Sequence, residues 1–415
     1  MTRRRAIYRR LTATAAVALA LPLALAACGG GGNDAAGGSG SGSATRLTVQ
    51  DTFVTEPGKS FYQKELDACG KEAGVTIDHQ AIPGASIIAK VLQQASSRTL
   101  PDVLSIDNPD VQQIAASGAL APLSDFGISA DGYSQGVTDA NSYQGKLYGL
   151  QPTTNTLALF YNKDILAKAG ITPPTTWAEL QTDAKKLTSG SRYGLAFSAI
   201  NTYEGTWQFL PFMWSNGGDE KDIATPQTAE ALQLWVDLVK SGSASKSVVT
   251  WGQEDVNDQF MAGKAAMMIN GPWQFPVLAA KPDVHYGVAS LPVKQAGAKV
   301  VGPLGGATWV VPQTGDKDKQ AKAAKVVQCL NSDTNMLNDA KTNDAVPTKT
   351  ALGQQLVATE PQLKAFVDEV PSLRSRTGEL GAQWTKAATA IYTAVQSALT
   401  GGAQPMEALQ QAQHG

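Results

Sequence analysis

Along most of the chain, hydrophobic positions switch between a period near two and a period near 3.6. Arg46-Leu47-Thr48-Val49-Gln50 alternates as a strand, and Phe61 to Ala73 has helical spacing ended by Gly74. Val75-Thr76-Ile77-Asp78 predicts a second strand, so this strand–helix–strand order favours a right-handed parallel unit. The alternation continues with a helix over 86–97, a strand over 101–106 and a helix over 111–117 stopped by Gly118. Amphipathic or apolar helices follow over 210–214, 226–241, 317–330, 384–399 and 405–413. Thr176, with Glu179 three residues on, is a capping box that starts another helix. Ala265 to Ile269 is an apolar run short enough for a buried strand, with Gly263 as the preceding helix stop. Asn270-Gly271-Pro272 ends that strand sharply and leaves Trp273 just beyond it. Interleaved strands and helices make the class α/β. From Arg46 on, about 370 residues remain, too many for one small core, so two domains or lobes are expected.

The first residues break this pattern. Arg3, Arg4, Arg5, Arg9 and Arg10 precede an Ala/Leu-rich run from Leu11 to Ala27, the form of a secretory signal. That run ends Leu25-Ala26-Ala27-Cys28, which resembles the bacterial lipobox and implies lipidation of Cys28. The arginine pairs are also compatible with twin-arginine export. Residues 29–44 are Gly- and Ser-rich and read as a flexible tether. A lipid followed by a tether would hold the folded part at the extracytoplasmic face of the membrane. Without residues 1–27 the formal charge falls from -2 to about -7, so no basic footprint for nucleic acid is expected. Cys69 and Cys329 remain, either as a disulfide or as two buried thiols.

Candidate binding chemistry clusters at strand ends and helix starts. In an α/β sheet, ligand usually sits beyond the strand ends. Trp273 is at such a place, although a core tryptophan fits the local pattern equally well. The polar loop after the first strand, through Asp51, Glu56 and Gly58, offers Glu56. Asp107-Asn108 follows the 101–106 strand, and can read a hydroxyl through a carboxylate and an amide or cap the next helix. Tyr203, Glu204 and Trp207 cluster at a helix start. Gly305-Gly306 before a strand allows close approach of backbone to a ligand. It is not a phosphate loop, because no Gly-Lys-Ser/Thr follows. Arg374 and Arg376 could fork onto vicinal hydroxyls or serve as surface charges.

Gly263-Lys264-Ala265-Ala266-Met267-Met268-Ile269-Asn270-Gly271-Pro272-Trp273 resembles the corresponding segment of maltose-binding protein and its relatives, the carbohydrate-binding proteins of ABC importers. The resemblance extends through Pro101-Asp102-Val103, Ser117-Gly118-Ala119-Leu120-Ala121-Pro122-Leu123, Gly145-Lys146-Leu147-Tyr148-Gly149, Tyr161-Asn162-Lys163-Asp164 and Pro174-Thr175-Thr176-Trp177-Ala178-Glu179-Leu180. It spans nearly the whole chain from about Arg46 to Gln413. The family resemblance implies a two-lobed periplasmic-binding-protein-like fold with about three chain crossings at a hinge and a ligand cleft between lobes. It implies a first lobe of residues 45–150 plus 305–347 and a second of 151–304 plus 348–415. It also implies that Trp273 lies on a sugar face, that Asp107 and Asn108 face the cleft, and that Glu204, Trp207 and Tyr203 lie over the sugar. Gly305 and Gly306 would touch it. Asn155 stands where the family often has an acid, a departure that alters the hydroxyl pattern read there. Trp177 is implied to be packing.

The expected function is therefore extracellular capture of a mono- or oligosaccharide for an ABC permease, by a monomer without cofactor or metal. A binder of polyamine, iron or peptide is the alternative, with a glycoside-processing enzyme behind it. His79, His285 and His414 are the only histidines and none has metal-ligand spacing. No Gly-x-Ser-x-Gly nucleophile motif surrounds a plausible serine. No catalytic residue is assigned, although Asp107 with Glu204 could imitate a glycosidase pair.

If the lipobox reading is right, Cys28→Ser releases the protein into the medium or stalls its processing. Fractionation and mass spectrometry of the N-terminus check this, and a variant still processed and membrane-bound refutes it.

Overall fold

Among the described residues, nine strands make the two main sheets. In chain order they are β1 (Arg46–Asp51), β2 (Thr76–Ala81), β3 (Val103–Asp107), β4 (Gly149–Leu150), β5 (Ala158–Asn162), β6 (Tyr193–Ala196), β7 (Ala265–Asn270), β8 (Tyr286–Ala289) and β9 (Ala307–Val310). The structure is a computed structural model that describes residues 44–54, 56–82 and 84–415. Cys28, the signal segment and most of the tether lie outside the described residues.

The first sheet has the order β2-β1-β3-β9-β4. In it β1 runs parallel to β2 and β3, while β9 is antiparallel to β3 and β4. The second sheet has the order β8-β5-β7-β6, with β7 parallel to β6 and β5 antiparallel to both neighbours. The α/β class follows from these sheets and the helices between their strands. All six residues of β7 are buried, which is why that strand reads as a continuous apolar run. The second strand is longer than its hydrophobic pattern predicts. β2 pairs with β1 along six residues at the sheet edge, and its burial alternates, but one inward position is polar: His79 Nε2 lies 2.8 Å from the buried Asp51 carboxylate, so the hydrophobic pattern ends early.

The chain passes between the sheets through residues 151–157, which join β4 to β5, and residues 290–306, which join β8 to β9. Thr153–Thr154 pairs antiparallel with Val346–Pro347, so a third stretch lies against the first passage. Beyond it, helices Trp384–Thr400 and Pro405–His414 pack into the core of the second sheet. That core is centred on Trp235, with Phe197, Phe209 and Phe212 at 4.4, 5.1 and 5.7 Å between ring centres. Trp177 is buried and donates to the Pro292 carbonyl at 3.1 Å, a packing role. Its helix starts with the Thr176–Glu179 capping box.

Cys69 and Cys329 form a disulfide, which resolves the alternative left open by the sequence. It joins helix Gly58–Glu72 to helix Lys317–Leu330 across a sequence separation of 260 residues. Such a link restricts the unfolded chain, more so for long loops. Cys329→Ser should therefore lower the unfolding free energy by about 2–4 kcal/mol. Urea unfolding under non-reducing conditions measures it, and an unchanged midpoint would show that the bridge contributes nothing.

Candidate functional site

The ends of β3 and β7 and the start of β9 meet the start of helix Tyr203–Ser215 around a cavity of about 440 Å³. Asp107 ends β3 and also caps the following helix, its carboxylate accepting from the Asn108 N–H. Arg376 comes to it from far along the chain, with Nη2 at 3.1 Å from both Asp107 oxygens and 3.3 Å from Asn108 Oδ1. The same guanidinium lies over Trp207, 4.8 Å from the ring centre. A cation on an aromatic face adds attraction that grows as water is excluded, and the Arg376 side chain is only 12% exposed.

Trp207 is half-buried, one helical turn beyond Glu204. Thr202 caps this helix by accepting from the Glu204 N–H. The Glu204 carboxylate accepts from the Gln253 N–H, at the N-terminus of helix Gln253–Met261. Burial pushes the Glu204 carboxyl above its ordinary value, the Gln253 bond opposes that, and the charges of Glu254 and Asp255 reinforce it. Asn270, at the end of β7, holds the same turn by donating to the Gln253 carbonyl at 2.9 Å.

Trp273 follows in a short 3-10 turn, half-buried and partly packed on the core. A Cβ at Gly271 would lie 1.9 Å from the Trp273 ring, so only glycine lets the indole fold back over the strand end. Gly305 and Gly306 are required just as firmly. A Cβ on Gly305 would meet Asn155 Oδ1 at 2.0 Å and the Trp207 ring at 2.7 Å. Gly306 has φ +114°, a conformation that disfavours any side chain.

Nine sequence-predicted residues line this cavity: Asp107, Asn155, Tyr203, Glu204, Trp207, Trp273, Gly305, Gly306 and Arg376. Two predicted residues do not. Glu56 is exposed and accepts from the Ser60 N–H and hydroxyl, which makes it a cap for helix Gly58–Glu72. Asn108 is fully buried behind the cavity and donates to Gln151 Oε1 and the Leu304 carbonyl. Arg374 is also elsewhere, paired with Asp219 and Glu220 at 2.9 and 3.0 Å and stacked over Trp214. Sequence reasoning missed Gln253 and Glu254. Their signal was the Gly252-to-Asp255 stretch, a helix start with acids in its first turn. A larger cavity, about 600 Å³ beside edge strand β8, contains none of the predicted site residues.

The chain matches the family described as bacterial extracellular solute-binding protein over residues 64–365. It is 27% identical to the maltooligosaccharide ABC transporter solute-binding lipoprotein of Streptococcus pneumoniae serotype 4, over 83% of each chain. Among solved structures it resembles the GacH receptor of Streptomyces glaucescens, determined unliganded and with acarbose, at TM-score 0.75 and 27% identity, over 89% of this chain and 96% of that one. It also resembles a cyclic alpha-maltosyl-1,6-maltose binding protein from Arthrobacter globiformis at TM-score 0.77 and 26% identity, over 89% and 97%.

One group beside the cavity titrates near neutrality. Burial, and then the Asp107 charge, push the Asp110 carboxyl up to about 7, with Arg376 pulling the other way. The fold therefore favours protonated Asp110. That stabilisation is complete below the ordinary carboxylate range and is lost as pH rises through about 7. Thermal melts of the unliganded protein between pH 4 and pH 8 should show Asp110→Asn falling less with pH than the parent. Parallel curves would refute the assignment.

Proposed function

Because this chain belongs to the bacterial extracellular solute-binding proteins, we propose that it captures a mono- or oligosaccharide and delivers it to an ABC permease. One observation carries the sugar reading. Two half-buried tryptophans and an exposed tyrosine converge on one cavity with carboxylates, amides and an arginine already held in place. A sugar has apolar C–H faces and hydroxyl edges. Flat rings suit the faces, each aromatic pairing contributing ~0.5–1.5 kcal/mol beyond area burial. Fixed acceptors and donors suit the edges, at about 1 kcal/mol net per hydrogen bond. The sugars in the names of the similar proteins support the same reading.

On this reading the first lobe comprises residues 45–150 plus 305–347 and the second 151–304 plus 348–415. The passages at 151–157 and 290–306, with the stretch near 347, act as the hinge, and lobe closure sequesters the solute. The protein works as a monomer, without cofactor, tethered outside the membrane through a lipid on Cys28. A polyamine is the second reading, because Glu254 adds a third carboxylate to Asp107 and Glu204 at the cavity. Against a glycosidase, Asp107 is engaged by Arg376 and Glu204 by the Gln253 N–H, an arrangement suited to holding a ligand.

Calorimetry against a panel of linear oligosaccharides and polyamines separates the readings. Binding of a polyamine with no response to any sugar would overturn the proposal. Where a sugar binds, Trp273→Ala should weaken it by roughly 1–3 kcal/mol, or about five- to 150-fold, with the melting temperature nearly unchanged. A sharply lowered melt with affinity intact in the folded fraction would place Trp273 in the core.

A further inference from the structure

Tyr203 lines two cavities. One is the 440 Å³ cleft, and the other is a groove of about 560 Å³ between helices Trp384–Thr400 and Pro405–His414. Its side of the molecule is unusual. Tyr203 is 53% exposed, among only four exposed large hydrophobic residues in the described part. Its ring stands 6.1 Å from that of Tyr392, on the first helix of the groove. A tyrosine whose task was packing would be buried. This one stands where the cleft and the groove adjoin.

We propose that the ligand cleft continues over Tyr203 into this groove, so that the chain takes a linear oligosaccharide long enough to occupy both. The proposal rests on the sugar reading and narrows it to an extended ligand. The groove's wall has the chemistry for it. Thr385, Thr389, Thr393 and Ser397 recur every four residues, which puts them on one face of the helix. The row extends about 18 Å at the helical rise, room for several sugar units. Threonine is a poor helix former, so three of them at exposed positions are not explained by helix formation. Each hydroxyl oxygen can still accept when its proton is used, as in Thr389, which donates to the Thr385 carbonyl at 2.9 Å. Gln411 faces the row from the second helix, and Lys386 is the one charged side chain lining the groove. Uncharged hydroxyls and an amide, entered past an exposed ring, fit a neutral polyol chain better than a polyamine or an anion.

The test is calorimetry on the full mature chain with linear gluco- and galacto-oligosaccharides of two to seven units, for the parent and for Thr389→Trp and Gln411→Trp. The two substitutions fill the groove from opposite walls, and melting temperatures show that both fold. The expected result is parent affinity rising with length. Each variant then binds the longest ligand about tenfold more weakly and the disaccharide as the parent does. Variants that bind every length like the parent overturn the extension and leave the sugar reading standing. Equal loss at every length also overturns it, since the groove would then act only through the cleft. A parent that binds no member of the series overturns the extension, and the sugar reading falls with it when a panel of monosaccharides also fails to bind.

Discussion

The passages between the two sheets approach so closely that no side chain fits between them. Gly305 donates to the Asn155 carbonyl at 3.0 Å, while its own carbonyl accepts from Gln151 Nε2 and Thr154 Oγ1 at 2.7 and 2.9 Å. Gly306 in turn accepts from the Asn108 N–H. This knot of backbone and amide bonds fixes the end of β3, the first passage and the start of β9 relative to one another. Everything at the cavity that comes from the first sheet is positioned through it. A larger residue at either glycine would displace Asn155, Trp207 or Gln151 at once, because those are the atoms a Cβ would strike.

Around that knot the charged groups are held by protein partners from two directions. Arg376 neutralises Asp107 and covers one face of Trp207. Glu204 is fixed by a helix N-terminus, where a carboxylate is favoured by unpaired N–H groups and by the helix dipole. Groups held like this lose little freedom when a ligand arrives, which improves affinity without adding contacts.

Much of the fold was legible because burial enforced the patterns that announce it. β7, the helix over 317–330 and the Thr176–Glu179 box could be read from residue type alone. β2 could not be delimited, since Asp78, His79 and Gln80 meet Arg46, Asp51 and Gln50 through polar contacts that leave no hydrophobic alternation in the sequence. Part of the cavity was legible for a different reason: Asp107 and Trp273 lie at or just past strand ends, and Tyr203 and Glu204 start a helix, where turn chemistry marks the sequence. The same chemistry also misled. A Glu beside a helix start reads alike whether it caps, as Glu56 does, or lines the cavity, as Glu254 does, and nothing local shows that Asn108 turns inward to Gln151 and Leu304. Asp107 does face the cavity and caps as well. The sequence names Cys69, Cys329 and Arg376 but leaves their pairing open for a third reason. The disulfide and the Asp107–Arg376 pair join positions 260 and 269 residues apart, and no local pattern reports which distant segments meet.

The tryptophans show how a residue type acquires a role from its backbone. Trp235 and Trp309 are wholly buried, on a helix face and within a strand, where the surrounding elements close over them. Trp273 sits just past a strand end, and the chain turns away at Asn270-Gly271-Pro272 before another element can cover it. Its ring is instead supported from beneath by Gly271, which leaves it only half-buried. Trp207 reaches a similar state by another route, with Arg376 over its ring and Gly305 beside it. A ring fixed on one side and incompletely covered has already lost its rotamer freedom on folding. On the proposed reading, what it gains by meeting a sugar is then offset by little further ordering. The sequence places both tryptophans beside glycine for that reason. Small residues withdraw the backbone, and the flat surface they support is what the rest of the cavity is arranged around.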